Sequence, residues 1–304
     1  MQVPHKGLLV SIVIPTYNRA YCLDQAVQSV LNQTYSKWEL LIIDNHSSDN
    51  TEVLVNGYQD PRIILYKIHN NGIIAASRNM GIKKAKGELL AFLDSDDWWV
   101  ENKLEISVNK INSGADLVYH DLIISSKLNV SSLFYKTFIT SKVIKTRQVE
   151  FPVYEDLLYS GNTITTSSVV VKKDKLKLAG GFSEDEKLFT AEDYDLWLRI
   201  SKNRDCKFER ICQPLGYYWI GEDNTSSADR NITSLREILH QHNINDKIPG
   251  WACYTLGRSY YKIGNTSLSR KYLSMAIYKD NPWTVRIKAL ITVFFNIFQK
   301  KMKF

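Results

Sequence analysis

The stretch "ELLAFLDSDDWW", residues 88–99, decides the fold of this chain. An apolar run that begins at Leu89 passes directly into a polar segment, and two tryptophans follow that segment. The segment holds three carboxylates, Asp94, Asp96 and Asp97, whose like charges repel one another at this spacing. A buried strand that ends in this way predicts a site where a cation offsets the acids.

Upstream of this stretch, predicted strands and helices alternate. Continuous apolar runs predict buried parallel strands, and segments with apolar residues at helical spacing lie between them. The predicted strands are 8–14, 38–45, 62–68 and 88–94, and the predicted helices are 21–33, 49–58 and 74–87. This alternation predicts an α/β fold with a right-handed, mostly parallel sheet flanked by helices.

Downstream, the pattern divides the chain into two domains. The predicted elements are a helix at 100–112, strands at 115–124, 163–173 and 214–220, and a loop that runs into a helix within 180–202. Residues 221–231 are polar and typical of a linker, and residues 232–304 have helical patterns. We therefore expect an α/β domain over 1–220 and a helical extension over 221–304.

Composition limits the classes of partner and site. The net charge of +7 favours phosphates, nucleotides or an anionic membrane surface, and we expect no nucleic-acid partner. The four cysteines have no C-x-x-C spacing, which indicates reduced cytosolic thiols rather than disulfides or a zinc site. No stretch of 18 apolar residues predicts a spanning helix, and the apolar run near the N-terminus is typical of a strand rather than a signal peptide.

Polar segments follow three of the predicted parallel strands. They are "PTYNR" (15–19), "DNHSSD" (44–49) and "DSDD" (94–97). Ligands of open α/β sheets bind at the carboxyl ends of the strands, so these segments predict one site. The sequence contains neither G-x-G-x-x-G nor a P-loop motif, which argues against a dinucleotide fold and excludes a P-loop.

The acidic segment fits a hard divalent cation. A calcium EF-hand that begins at Asp94 fails, because Trp99 occupies the position where the tight turn needs glycine. Mg²⁺ or Mn²⁺ uses one or two carboxylates and takes further ligands from water and substrate phosphates. The segment therefore predicts a metal held against a diphosphate, whereas a solvated turn that caps the helix at 100–112 would need one aspartate.

Three stretches together resemble a family 2 glycosyltransferase of the GT-A fold. They are "VSIVIPTYNRAYCLDQAVQSVLNQTYSKWELLIIDNHSSDNT" (10–51), "NNGIIAASRNMGIKKAKGELLAFLDSDDWW" (70–99) and "AEDYDLWLRI" (191–200). The resemblance covers roughly residues 8–220. It implies a nucleotide-sugar donor and a divalent cation, Mn²⁺ or Mg²⁺.

The resemblance also implies roles for the first two polar segments. Pro15, Tyr17 and Arg19 would line the base pocket, with Tyr17 beside the nucleobase. Asp44 and Asn45 would bind the base or the ribose. Many relatives have two acids at these positions, so Asn45 leaves the base open between uridine, thymidine and guanosine.

The acidic segment is a D-x-D motif in this family. By the resemblance, Asp94 and Asp96 would contact the ribose or the donor sugar, and Arg78 would approach the diphosphate or the acids. Asp96 or Asp97 would bind the metal. The sequence does not decide which acid is the ligand.

Glu192 and Asp193 lie at the start of a predicted helix. By similarity Asp193 is the general base that takes the proton of the acceptor hydroxyl. In-line displacement with one base inverts the anomeric centre, so an α-linked donor yields a β product. The alternative is that both acids only stabilise the N-terminus of the helix.

The chain lacks the Q-x-x-R-W motif of processive members, since "LWLRI" (196–200) stands there. We therefore expect one hexose to be added per reaction, with UDP-glucose as the favoured donor. The expected acceptor is a glycan, with a polyprenyl-diphosphate-linked glycan favoured, in O-antigen or capsule synthesis. The expected location is the inner face of the cell membrane.

The C-terminal segment "VRIKALITVFFNIFQKKMKF" (285–304) combines apolar and basic residues. It resembles an interfacial helix that lies on an anionic bilayer, and the alternative is a core helix with a solvated basic end. Upstream of it, six residues have the spacing of one tetratricopeptide-like helical hairpin. They are Leu256, Gly257, Tyr260, Gly264, Leu273 and Ala276.

Two other functions stay open at this point. A sugar-phosphate nucleotidyltransferase shares the parallel sheet and a metal-binding acid, but it has a glycine-rich basic loop where this chain has "PTYNR". A membrane-docked scaffold would use the helical extension alone and would not need Asp193.

Overall fold

The computed structural model describes residues 7–126, 142–221, 227–244, 247–278 and 281–301. The chain divides into two compact units. The first comprises Met1–Glu150, Thr163–Phe182 and Arg199–Asn224, and the second comprises Phe151–Asn162, Ser183–Leu198 and Thr225–Phe304. Two stretches that precede residue 220 therefore group with the C-terminal helices. Within the predicted linker, residues 222–226 lie outside the described part.

The four strands predicted around the acidic stretch form the parallel half of a sheet in the first unit. They are β1 (Val10–Thr16), β2 (Trp38–Asp44), β3 (Ile63–Lys67) and β4 (Leu89–Phe92). Neighbouring strands pair in parallel in the order β3-β2-β1-β4. Every residue of β1, β2 and β4 is buried, which explains why their sequences are mostly apolar. The predicted α/β class is confirmed.

The remaining strands make the sheet mixed. They are β5 (Trp98–Trp99), β6 (Leu117–Ser125), β7 (Val143–Ile144), β8 (Val170–Lys172) and β9 (Phe208–Trp219). The order continues from β4 as β8-β6-β9-β5, and β7 pairs with β6. β8 is antiparallel to both β4 and β6, whereas β6 and β9 are parallel. Parallel pairing therefore dominates only as far as β4.

The helices follow the predicted pattern, with two short additions. They are α1 (Ala20–Leu31), α2 (Thr51–Asn56), α3 (Ile74–Lys84), α4 (Lys103–Asn112), α5 (Val153–Ser160), α6 (Lys173–Leu178), α7 (Glu192–Ser201), α8 (Ala228–Gln241), α9 (Gly250–Lys262), α10 (Thr266–Tyr278) and α11 (Trp283–Lys301). α5 and α6 were not predicted, because they have only 8 and 6 residues and little room for a helical apolar period.

The strand predicted at 163–173 is shorter in the structure. Thr166–Ser168 form a 3₁₀ turn, and only Val170–Lys172 pair in the sheet. The Ser168 hydroxyl donates to the Thr165 carbonyl over 2.6 Å. This local hydrogen bond competes with strand pairing, as serine and threonine side chains commonly do.

α3 lies very close to β1 because residue 81 is a glycine. A Cβ atom at Gly81 would stand 2.4 Å from Cγ1 of Val13. Any larger residue would push the helix away from the sheet. Arg78 lies one turn before Gly81 on the same helix, so the close approach also positions that arginine.

The second unit contains the predicted helical hairpin. α9 and α10 are joined by a turn at Gly264, which has a φ of 78°. The rings of Tyr260 and Tyr272 stack at 5.6 Å, and the Ser269 hydroxyl donates to the Gly257 carbonyl. A Cβ atom at Gly257 would lie 2.6 Å from Leu273, so a small residue is needed there.

α11 follows the hairpin and packs against α10. Among the described residues, no helix has both the length and the apolar character needed to cross a membrane. The backbone of α11 is described to Lys301, but the side chains of residues 295–301 are not. The side chains of the basic residues Lys300, Lys301 and Lys303 are therefore not part of the described structure.

Candidate active site

The carboxyl ends of β1, β2 and β4 meet at one edge of the sheet. Thr16, the last residue of β1, pairs with Asp44, the last residue of β2. On the other side of β1, the Leu93 amide donates to the Val13 carbonyl over 3.1 Å, so the acidic segment follows at the same edge. The structure thus brings the three polar segments together.

In the second polar segment, both predicted ligands are hydrogen-bonded within the protein. The buried carboxylate of Asp44 accepts from the Ser47 amide over 3.0 Å and from the Ser47 hydroxyl. The side-chain oxygen of Asn45 accepts from the Asn70 amide over 2.9 Å. Asp44 therefore shapes the loop after β2, and Asn45 joins it to the loop after β3.

The predicted base-pocket residues of the first polar segment have different surroundings in the structure. Pro15 is buried inside β1, opposite Ile43 of β2. Tyr17 is 56% exposed, so its ring is accessible to a flat ligand. Asn18 between Tyr17 and Arg19 has a φ of 51°, a left-handed conformation that asparagine tolerates. This kink lets the chain turn from the end of β1 into α1.

Asp94 is held from two sides. Nη2 of Arg78 lies 2.7 Å from Oδ1 of Asp94, and the side chain of Arg78 is almost fully buried. The Asp94 amide donates to the Ser167 hydroxyl over 3.1 Å. The guanidinium of Arg78 also lies 5.3 Å from the ring centroid of Phe182. Because α3 carries Arg78, this ion pair ties the acidic segment to the helix.

Asp96 faces a different arginine. Nη1 of Arg19 lies 3.3 Å from Oδ2 of Asp96 and 3.1 Å from the Tyr21 hydroxyl. The same guanidinium lies 5.9 Å from the Trp219 ring centroid. The structure thus places Arg19 against the acidic segment, where we had expected it beside the base.

Asp97 is buried without a cationic partner among the described residues. Its Oδ1 accepts from the Trp219 amide over 2.9 Å, which connects the acidic segment to the end of β9. Its Oδ2 is buried and has no hydrogen-bond partner in the described structure. An unsatisfied buried carboxylate oxygen is costly, so this atom suits a ligand that brings positive charge.

The clustering of the acids changes their acidity. Burial and the charge of Asp94 raise the pKa of Asp96 to about 6, while the Arg19 guanidinium limits the rise. Burial raises the pKa of Asp97 well above its usual range, and the charges of Asp96 and Asp94 add to the increase. Two arginines therefore do not fully offset three acids, and a bound cation would lower both pKa values.

The protein alone does not complete a metal shell. Among the described residues, no group of three His, Cys, Asp or Glu side chains could hold a metal ion. Asp96 and Asp97 can supply two carboxylates, and a hard cation would take its other ligands from water and a diphosphate. The unsatisfied oxygen of Asp97 and the uncompensated charge fit such a cation.

Glu192 and Asp193 belong to the second unit and begin α7. Glu192 is buried, and Oδ1 of Asp193 accepts from the Tyr194 amide over 2.6 Å. The Tyr194 hydroxyl donates to the Leu157 carbonyl over 2.8 Å, and its ring meets Trp251 edge-on at 5.8 Å. α5, α7 and α9 therefore fix the backbone around Asp193. Its role as a base stays a prediction.

Three residues of the site were missed in the sequence. Ser167 supports the acidic segment through Asp94, and its carbonyl accepts from the Trp99 indole over 2.7 Å. Tyr21 and Trp219 meet at 6.2 Å between ring centroids beside Arg19. The "TTSS" run before β8 offered a weak signal for Ser167, whereas nothing local pointed to Trp219.

Comparison with known proteins gives a consistent family signal. The family model described as glycosyl transferase family 2 matches residues 11–156. The β-1,3-glucosyltransferase WfgD of Escherichia coli, named for UDP-Glc and α-D-GlcNAc-diphosphoundecaprenol, is 35% identical over 198 residues. That alignment covers 65% of this chain and 71% of WfgD. The chain spans less, 61%, of two other curated relatives.

Solved structures share the fold at low identity. TarS of S. aureus, in complex with UDP-GlcNAc, aligns with a TM-score of 0.61 at 17% identity and covers 95% of this chain and 89% of its own. A mannosyltransferase of Pyrobaculum calidifontis, in complex with GDP-Man and Mn²⁺, has a TM-score of 0.57 at 17% identity. That alignment covers 98% of this chain and 90% of the other.

Proposed function

The chain belongs to glycosyltransferase family 2, and on that basis we propose that it transfers a hexose from a nucleotide-diphospho-sugar to a hydroxyl of a glycan. The observation that carries the proposal is the acidic segment, where Asp97 Oδ2 is buried without a partner beside Asp96. A cation and a diphosphate together would satisfy that oxygen and offset the remaining charge. UDP-glucose is the proposed donor, since WfgD is named for it.

We assign the binding of a divalent cation, Mn²⁺ or Mg²⁺, to Asp96 and Asp97. The cation, when bound, supplies positive charge that stabilises the departing nucleoside diphosphate. Arg78 holds Asp94 in place from the buried side, and Arg19 lies beside Asp96 on the more open side. Tyr17, exposed at the end of β1, is the proposed contact of the nucleobase. Asp44 and Asn45 contribute by shaping the adjacent loops.

Asp193 is the proposed general base, with Glu192 beside it. A carboxylate at this position would accept the proton of the acceptor hydroxyl while that oxygen attacks the anomeric carbon. The anomeric carbon–phosphate oxygen bond breaks as the new bond forms. A single displacement of this kind inverts the configuration and gives a β-linked product from an α-linked donor.

The proposed acceptor is a polyprenyl-diphosphate-linked glycan of surface polysaccharide synthesis. WfgD is named for an acceptor of this kind. Such an acceptor would place the reaction at the inner face of the cell membrane. One sugar would be added per reaction, because the motif of processive members is absent from 196–200.

A thermal-shift panel tests the donor and the metal together. The chain is heated with UDP, GDP, dTDP or CDP, each with Mn²⁺ and with EDTA. A nucleotide present at 100 times its dissociation constant stabilises the chain by about 2.7 kcal/mol. We expect a shift with UDP that requires Mn²⁺. If none of the four nucleotides shifted the unfolding temperature, with Mn²⁺ or with EDTA, the result would contradict the proposed function.

A further inference from the structure

One face of α11 exposes a continuous apolar stripe. It consists of five large side chains that are 44% to 72% exposed: Trp283, Ile287, Leu290, Ile291 and Phe294. At 100° per residue these positions fall within an arc of about 100° around the helix. Ala289 lies on the opposite side and is fully buried. α11 therefore packs through the face that carries Ala289, and the five side chains of the stripe are exposed.

An exposed stripe of this kind marks an interaction surface. Single exposed apolar residues are common, but five large ones aligned over three turns are a contiguous patch. The patch includes a tryptophan at its N-terminal end, a residue whose amphipathic ring suits a water–apolar boundary. The partner must therefore present an apolar phase next to a polar one.

The charges beside the stripe indicate which partner fits. By helical geometry, Arg286 lies on one side of the stripe and Lys288 on the other. Residues 281–304 contain five basic residues and no acidic one. A second copy of the chain docked stripe to stripe would bring these like charges together, which is unfavourable. An anionic lipid surface accepts the apolar stripe and pairs with the flanking cations at the same time.

We propose that α11 lies in the surface of an anionic lipid bilayer, with the stripe Trp283, Ile287, Leu290, Ile291 and Phe294 inserted among the acyl chains. The basic flanks contact the phosphate layer, where long lysine and arginine side chains reach outward from an apolar surface. This contact is independent of catalysis. It would hold the protein where a lipid-linked acceptor is present.

Co-sedimentation of the full chain with vesicles tests the proposal. We expect binding to vesicles that contain phosphatidylglycerol, weaker binding to pure phosphatidylcholine, and a loss of affinity as salt is raised. The double variant Leu290→Glu, Phe294→Glu should bind at least about tenfold more weakly, because it places charges inside the stripe. Equal binding of this variant and the unchanged chain would overturn the proposal.

A matched control separates the stripe from a general effect of added charge. Val53 and Leu178 are exposed apolar residues of α2 and α6, 73% and 76% accessible. The variant Val53→Glu, Leu178→Glu carries the same added charge outside α11 and should bind vesicles as the unchanged chain does. Circular dichroism and the UDP-dependent thermal shift should be the same for both variants, which keeps folding and donor binding out of the comparison.

Sedimentation velocity tests whether a second copy of the chain, rather than a lipid surface, covers the stripe. If the stripe is an interface between copies, the unchanged chain is a dimer, the stripe variant is a monomer, and neither binds vesicles. That result would overturn the lipid proposal in favour of self-association. A monomer that binds anionic vesicles through the stripe supports it.

Discussion

At the scale of single residues, the three acids after β4 have different surroundings although they are adjacent in sequence. Asp94 is paired with a buried arginine, Asp96 with a more accessible one, and Asp97 accepts from the Trp219 amide without a cationic partner among the described residues. The local pattern "DSDD" predicted a cluster but could not assign these surroundings. The partners lie 16, 77 and 122 residues away along the chain, and a short sequence window contains no information on such contacts.

Asp96 gives the first prediction. Asp96→Asn removes one charge from the proposed metal pair, so the Mn²⁺-dependent part of the UDP thermal shift should disappear. Turnover should fall by about 100-fold or more, since the charge on the leaving diphosphate is then poorly offset. Asp174→Asn, which changes an exposed acid of α6, is the control. A variant at Asp96 that keeps its full metal response would refute the assignment.

Asp193 gives the second prediction. Asp193→Asn keeps the size of the side chain but removes its ability to accept a proton. We expect kcat to fall by about 10²-fold to 10⁴-fold while the affinity for UDP stays within about twofold. Glu186→Gln, an exposed acid before α7, should leave both quantities unchanged. Unaltered turnover in Asp193→Asn would favour the alternative that this acid only stabilises the helix terminus.

At the scale of elements, the helical extension is joined to earlier parts of the chain. The Trp251 indole of α9 donates to the Leu158 carbonyl of α5 over 3.1 Å, and its ring meets Tyr194 of α7. A Cβ atom at Gly161, whose φ is 85°, would stand 2.9 Å from the same indole. α9 therefore supports the helix that carries Asp193, a connection that the predicted boundary at 220 did not anticipate.

Trp251→Ala tests this connection. The variant loses a half-buried indole and its hydrogen bond, and we expect the free energy of unfolding to fall by about 2 kcal/mol. Turnover should fall with it, because Tyr194 follows Asp193 directly. Trp283→Ala removes an exposed indole of α11 and should leave stability within about 0.5 kcal/mol. Urea unfolding of both variants makes the comparison, and equal stabilities would show that Trp251 has no supporting role.

At the scale of the whole molecule, strands with a clear local sequence pattern were predicted, whereas contacts between residues far apart in the chain were not. β1, β2 and β4 were predicted because burial on both faces leaves a mostly apolar run in each strand. The antiparallel strand β8 was predicted too long, since the Ser168 hydrogen bond acts against pairing. Ser167 and Trp219 escaped prediction because they contact acids 73 and 122 residues away along the chain.

The first unit also buries two basic side chains, which makes its stability depend on pH. Burial, with a contribution from the nearby Lys103 charge, lowers the pKa of His120 to about 3. Its Nδ1 lies 2.8 Å from the Asp121 carbonyl, consistent with a neutral ring that donates there. Between pH 3 and about 6.5, the unfolded chain binds a proton that the folded chain does not, so stability rises with pH in that window.

The expected size is up to about 1.4 kcal/mol per pH unit below 6.5. Unfolding of the unchanged chain and of His120→Asn is to be compared from pH 7 to pH 4.5. The unchanged chain should lose stability more steeply on acidification. Asp96 and Asp97, whose raised pKa values act in the opposite direction, are present in both proteins and cancel. If the stabilities of the two proteins changed with pH in parallel, His120 would take up its proton equally in the folded and the unfolded chain, and its pKa would not be lowered.

The pairing of Arg19 with Asp96 has a consequence for the order in which ligands arrive. Without a bound ligand, the guanidinium of Arg19 lies against one side of Asp96. The same guanidinium also contacts the Tyr21 hydroxyl and lies near the Trp219 ring. A metal ion that arrives alone must compete with this guanidinium, whereas a metal that arrives with a diphosphate offers Arg19 an anionic partner in exchange. The two ligands should therefore strengthen each other's binding by the same factor, so Mn²⁺ titrates at lower concentration when UDP is present.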